Sequence, residues 1–108
     1  GTSTPANDKN ETAALKELFG GKQNCPMVSS TKGATGHCLG AAGSIEAALT
    51  LMAMQKGVLP ATINYTTPDD DCDLDYIPNN TREADIQIAM SNSFGFGGTN
   101  GVVIFKKV

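Results

Sequence analysis

Three patterns of apolar positions run along this chain, and each predicts one kind of element. Leu15, Leu18 and Phe19 stand at i, i+3 and i+4, one stripe of a helix that also includes Glu11, Ala13 and Ala14. Asn7 or Asp8 is placed to cap this helix, and Gly20-Gly21 stops it. The longest periodic segment covers 37–56, where Leu39, Ala42, Ile45, Leu49, Met52 and Ala53 keep helical spacing and Gly57 closes the run. Its side chains are unusually small (Gly40, Ala41, Ala42, Gly43, Ala47, Ala48), and each interior glycine costs about 1 kcal/mol relative to Ala. Close approach of another backbone would offset that cost, so the pattern predicts a buried central helix. The third pattern is alternation. Ile86, Ile88 and Met90 alternate with Gln87, Ala89 and Ser91, and 102–105 forms a second apolar run, which predicts a hairpin joined by 93–101.

The segments between are shorter. Cys25-Pro26 is a connector, 27–31 is β-prone, and 32–36 is a loop. Residues 58–65 are extended and broken by Pro60, and 68–75 is an acidic connection with turn chemistry. The order helix, strand, helix, strand, strand defines an α/β class, a mixed sheet ending in an antiparallel hairpin. No repeat or low-complexity tract interrupts it.

Composition narrows the field. At 108 residues the chain suits one small domain or a piece of a larger one. Its net charge is -3 and no basic cluster exceeds Lys106-Lys107, which argues against nucleic acid as a partner. No apolar stretch is long enough to span a bilayer, so no membrane association is expected. Three cysteines with no C-x-x-C pair exclude a zinc ribbon and argue against a disulfide framework, and reduced thiols suit a cytoplasmic setting. No signal peptide is visible, and an opening Gly1-Thr2-Ser3-Thr4-Pro5 without an initiator Met reads as the interior of a longer polypeptide.

Candidate chemistry concentrates in two glycine-rich stretches. Residues 33–40 precede a helix as a phosphate cradle would, but they fit neither nucleotide fingerprint. His37 is the only histidine. A single histidine is most often structural, yet a helix-start position behind Lys32 favours a neutral imidazole. Such an imidazole can donate a hydrogen bond to a developing oxyanion. Lys32 is the only cation between Lys22 and Lys56, and Glu46, on the apolar helix, needs a partner that Lys32 can be. Cys38 neighbours His37 but points about 100° away on a helix, so it reads as a packing residue. The aspartates of 69–75 lack the glycine and the closing glutamate of a calcium loop, so they read as a solvated turn and no metal site is expected. Phe94 and Phe96 flank Gly95; they are either core plugs or aromatics able to swing, beside backbone N–H groups free to face a ligand.

The runs Gly1-Thr2-Ser3-Thr4-Pro5, Ser29-Ser30-Thr31-Lys32-Gly33-Ala34-Thr35-Gly36-His37-Cys38-Leu39-Gly40-Ala41-Ala42-Gly43 and Ser91-Asn92-Ser93-Phe94-Gly95-Phe96-Gly97-Gly98-Thr99-Asn100 resemble the β-ketoacyl-acyl-carrier-protein synthases. Pro60-Ala61-Thr62-Ile63-Asn64 with Pro68-Asp69 and Cys72-Asp73-Leu74-Asp75 looks most like the synthase II branch. The resemblance implies a thiolase-like fold, of which residues 1–108 would be the C-terminal portion, an incomplete half-domain. It implies decarboxylative Claisen condensation by a Cys-His-His triad, within a homodimer served by acyl- and malonyl-loaded acyl carrier protein. No resident cofactor is expected, because phosphopantetheine arrives on the carrier.

Carried over residue by residue, His37 matches the second histidine of that triad, Lys32 the family's lysine beside the site, and Glu46 its carboxylate partner. Thr2 and Thr4 match the threonines that hydrogen-bond the phosphopantetheine arm. Phe96 matches a gating phenylalanine whose N–H contributes to an oxyanion hole, within a gating loop Phe94-Gly95-Phe96-Gly97-Gly98. The resemblance puts the nucleophilic cysteine far upstream, so none of Cys25, Cys38 and Cys72 takes that role, and the first histidine immediately before Gly1. The chain by itself is therefore expected to be inactive. The competing expectation is a non-catalytic α/β module that binds a pantetheine arm or a protein partner through Thr2, Thr4 and the hairpin.

Overall fold

A computed structural model describes all residues, Gly1–Val108. The chain divides into two compact units, one of Gly1–Gly36 with Pro60–Thr81, the other of His37–Leu59 with Arg82–Val108.

The first unit is built on helix α1, Asn7–Phe19, whose end is closed by Gly20 in the left-handed region (φ 73°). Its cap differs from expectation. The residue before the helix is Ala6, without a side-chain cap, and Asp8 turns back to accept the Thr2 N–H at 3.1 Å. Thr12 and Leu15 on α1 are buried together with Ile77. Burying the Thr12 hydroxyl requires a partner, and it has one in the Tyr76 hydroxyl at 2.6 Å. Tyr76 stacks on Tyr65 with ring centroids 6.3 Å apart. Burial raises the Tyr76 hydroxyl's pKa above the usual phenol value, and the Thr12 hydrogen bond opposes that shift.

No strand forms at 27–31. Val28 makes a backbone hydrogen bond to the Asp75 carbonyl (2.9 Å), but the next two residues turn their polar groups elsewhere. The Ser29 hydroxyl donates to the Pro60 carbonyl at 2.6 Å, and the Ser30 N–H donates to Thr62 Oγ1 at 3.0 Å. Side chains compete here with the ladder and win. The expected loop at 32–36 contains a one-turn helix, α2, Lys32–Thr35, ended by Gly36 at φ 73°. Ile77, only 1% exposed, sits at φ 53°, a backbone region that strongly disfavours β-branched residues. Its burial, its N–H bonded to Asp75 Oδ1 (3.0 Å) and its carbonyl bonded to the Thr62 N–H (2.9 Å) hold it there.

The second unit contains helix α3, Ala42–Lys56, preceded by a 3-10 turn at Leu39–Ala41 and closed by Gly57 (φ 65°). The helix thus starts five residues later than its periodicity suggests, because Leu39 adopts φ 49° and breaks the path from His37. Nor is α3 buried all round. Only Met54 is buried, while Leu51 and Met52 are exposed. No backbone crowds the glycines. A Cβ on Gly43 would meet the Ser93 hydroxyl at an ordinary 3.6 Å, and one on Gly40 would meet nothing within 4 Å.

Short strands β1, Val58–Leu59, and β2, Arg82–Glu83, pair antiparallel. The predicted hairpin is present as β3, Ile88–Phe94, and β4, Asn100–Lys106, in register from Ile88↔Lys106 to Phe94↔Asn100. Helix α3 packs against β3. The two ladders are separate two-stranded sheets, and the one parallel bridge, Thr62↔Pro78, lies in the first unit.

Candidate functional site

The candidate residues divide between the units: Thr2, Thr4 and Lys32 in the first, His37, Glu46 and Phe94–Gly98 in the second. In the first, Ser3 adopts φ 57° between the two threonines. Two residues apart in plain extended chain, the hydroxyls would lie about 7 Å apart along one face; the left-handed residue folds them together, with Thr2 Oγ1 and Thr4 Oγ1 at 2.8 Å. Asp8 fixes the Thr2 end of this turn through its N–H. One hydroxyl donates to the other, so the pair presents a single remaining hydroxyl proton together with acceptor lone pairs.

Lys32 opens α2 and is partly buried. Gly33 beside it meets a true steric limit: a Cβ there would lie 2.8 Å from the Ile63 carbonyl oxygen. Asn64, itself at φ 61°, donates its Nδ2–H to the Gly33 carbonyl at 3.4 Å.

In the second unit His37 is exposed and lies outside the helix, so the helix-start reading of its electrostatics does not hold. A different feature orients it. The Leu39 N–H donates to His37 Nδ1 at 3.1 Å. An Nδ1 that accepts a hydrogen bond carries no proton, so the neutral ring is the Nε2–H tautomer with its donor turned away from its own backbone. That is the arrangement an oxyanion donor needs, and nothing in the sequence disclosed it, because a leucine gives no sign of a left-handed backbone. Cys38 is half-buried and also off the helix. Glu46 is half-buried on α3, where its carbonyl accepts the Thr50 hydroxyl at 2.7 Å.

The connection between β3 and β4 is tighter than the expected 93–101. The ladder continues to Phe94↔Asn100, and the Gly95 N–H closes the turn on the Thr99 carbonyl at 2.7 Å. Gly97 and Gly98 occupy the left-handed region (φ 74° and 83°), where only glycine is unstrained. Phe96 projects from this turn 98% exposed, and so is no core plug in this chain.

The aspartates of the acidic segment serve separate local purposes. Asp69 Oδ1 accepts the Asp71 N–H (2.8 Å), Asp75 Oδ1 that of Ile77 (3.0 Å), and Asp73 pairs with Lys16 and, at 3.2 Å, Lys22. Hydrogen bonding from Lys16 holds the Asp73 carboxyl below the usual range.

The fold as a whole is that of the ketosynthases, thiolase-like condensing enzymes. A ketosynthase structure solved as "AntDE:AntF (apo): type II PKS acyl-carrier protein in complex with its ketosynthase bound to the hexaketide" superimposes with a TM-score of 0.95 at 42% identity, covering 100% of this chain and 26% of that one. The family description "Beta-ketoacyl synthase, C-terminal domain" matches residues 1–66, and the chain belongs to the β-ketoacyl synthase family. It is 52% identical over 108 residues to Nodulation protein E of Rhizobium meliloti, covering 100% of this chain and 27% of that protein. It is 51% identical over 108 residues to 3-oxoacyl-[acyl-carrier-protein] synthase 2 of Coxiella burnetii, covering 100% of this chain and 26% of that protein. The chain therefore spans about a quarter of the length of these relatives.

Proposed function

We propose that this chain supplies the C-terminal part of a 3-oxoacyl-acyl-carrier-protein synthase that elongates fatty acyl chains. The observation that carries this reading is the Leu39 N–H bonded to His37 Nδ1 at 3.1 Å, at the family's histidine position. In the reaction a malonyl thioester on the carrier loses carbon dioxide, and the electron pair of the broken C–C bond passes into the thioester as an enolate. His37 Nε2–H donates to the enolate oxygen as its charge develops. The carbanion carbon then attacks the acyl thioester on a cysteine outside these residues; a C–C bond forms and the cysteine leaves as thiolate.

The paired hydroxyls of Thr2 and Thr4 hold the pantetheine arm, Lys32 and Glu46 take the roles of the family's lysine and carboxylate, and Phe94–Gly98 gates the acyl site. No resident cofactor or metal enters, because the reactive thioester arrives on the carrier's own arm. Acyl carrier protein as partner, a homodimer and a cytoplasmic setting belong to the same reading. A relative that is a ketosynthase solved in complex with an acyl-carrier protein supports the partner.

The test is His37→Ala in the full-length enzyme. Malonyl decarboxylation should fall about a hundredfold or more, as removal of one oxyanion donor does, with the fold retained by circular dichroism. Near-wild-type decarboxylation removes His37 from the mechanism. Decarboxylation by the 108-residue chain alone would instead place a complete site within it.

A further inference from the structure

One residue of the first unit, through its backbone N–H and its hydroxyl, is bonded to three separate segments. The Ser30 N–H donates to Thr62 Oγ1 at 3.0 Å, fixing where the serine stands. Its hydroxyl donates to the Gly1 carbonyl at 3.3 Å, next to Thr2. The same hydroxyl accepts the Lys32 N–H at 3.4 Å, at the start of α2. Crowding reinforces the first of its two hydroxyl contacts, since a Cβ on Gly1 would lie 2.3 Å from Ser30 Oγ. Crowding also fixes α2: the Ile63 carbonyl fills the place of a Gly33 Cβ, and Thr62 and Ile63 are consecutive.

We infer that Ser30, seated on Thr62, is a positioning residue that fixes the Lys32 turn and the Thr2 segment relative to each other. This rests on the functional reading above, in which Thr2 and Thr4 grip the pantetheine arm and Lys32 stands beside the reacting thioester. The distance between grip and lysine then determines where along the arm the thioester comes to rest. A hydroxyl that donates to one segment and accepts from the other is a ruler between them, and alanine has neither function. Ser30 touches no substrate itself. Thr62 acts one step further back, by holding Ser30, and Gly33 by letting α2 lie flat on Ile63.

The experiment has two arms. In the full-length enzyme, amide hydrogen exchange is followed at single-residue resolution. Ser30→Ala should speed exchange at Lys32, and Thr62→Val at Ser30, each by about fivefold, the worth of one neutral hydrogen bond. Thr62→Ser, which keeps the acceptor, should restore the Ser30 rate, and amides of β3 and β4 should not change in any variant. In the full-length enzyme, Ser30→Ala should both raise KM for malonyl carrier and lower kcat. Gly33→Ala, which crowds the lysine turn against Ile63, should lower kcat more than it raises KM.

Unchanged exchange at Lys32 in Ser30→Ala overturns the inference, and so does a Ser30→Ala enzyme with wild-type kcat and KM beside an inactive Lys32→Met. If Lys32→Met proves fully active, the role given to the lysine falls instead, and the exchange rates alone decide whether Ser30 positions its turn.

Discussion

The two units of this chain are held together by different means. The first has little regular structure beyond α1, yet it closes on a small core of Thr12, Leu15 and Ile77 and is stitched by side chains. Ser29, Ser30, Asn64, Asp75 and Asn79 all bond to backbone within it. The second is regular, one long helix against a seven-residue ladder, but it buries Met54 alone. Ile88, Phe94, Val102, Val103 and Ile104 on its hairpin are exposed. Regular backbone bonding thus carries the second unit's shape without burying its apolar surface. Specific polar contacts do the reverse in the first. An isolated two-stranded hairpin is marginal in water, so the second unit should depend far more on what covers it.

The largest test of that contrast is Ile77→Ala. Removing a fully buried isoleucine should cost about 2–5 kcal/mol, and by NMR the amides of the first unit should melt before those of β3 and β4. A single shared transition would show that the two units fold as one. Next in size is association. The exposed hairpin has two open strand edges and apolar residues on both faces, each a driver of pairing. Sedimentation at tens of micromolar should find assemblies larger than the monomer, and Ile104→Lys should shift them towards monomer. A wild-type monomer at that concentration would remove the claim that the second unit needs cover.

Thr12→Val is a smaller change, about 1 kcal/mol for the lost hydrogen bond. It also has a signed titration effect. Burial raises the Tyr76 pKa and the Thr12 bond opposes it, so the variant's Tyr76 should titrate higher still by ultraviolet absorbance. A phenol raised in the fold contributes stability that is present below its unfolded value near 10 and is lost as pH rises through the folded value. Unit one should therefore weaken first in alkali. The smallest effect is at Asp73, whose carboxyl Lys16 and Lys22 hold low. Asp73→Asn should lower the melting temperature slightly at neutral pH, and the difference should vanish as pH falls below the ordinary carboxylate range.

The same division marks what could be read from the sequence. Periodicity disclosed α1, the body of α3 and the hairpin, because these elements follow local rules. Within this chain α3 is mostly uncovered, since small residues say that something can approach and do not name it. Periodicity missed β2, whose Arg82 and Glu83 are polar and exposed. A β-prone composition at 27–31 lost to the hydroxyls of Ser29 and Thr62, which are visible in sequence while their partners some thirty residues away are not. The motif resemblance singles out His37, Lys32 and the threonines as candidates, but not the left-handed Ser3 and Leu39 beside them. Ile77 was legible in principle. An Asp two residues before it and a Pro after it spell a turn, and an isoleucine inside a turn must be there for its side chain.

The glycines at the tip of the hairpin carry a stereochemical consequence. At Gly97 and Gly98 the backbone has the handedness natural to mirror-image amino acids, and a side-chain carbon built on either would touch nothing within 4 Å. That carbon is placed for the L enantiomer; the D form relieves the remaining backbone strain. A D-alanine installed there by chemical ligation at Cys38 should leave the turn's shape intact while removing most of glycine's other conformations. An L-alanine at the same place would distort the turn as well as stiffen it. The pair of enantiomers therefore separates two properties that any encoded substitution changes together, the shape of the loop and its freedom to leave that shape.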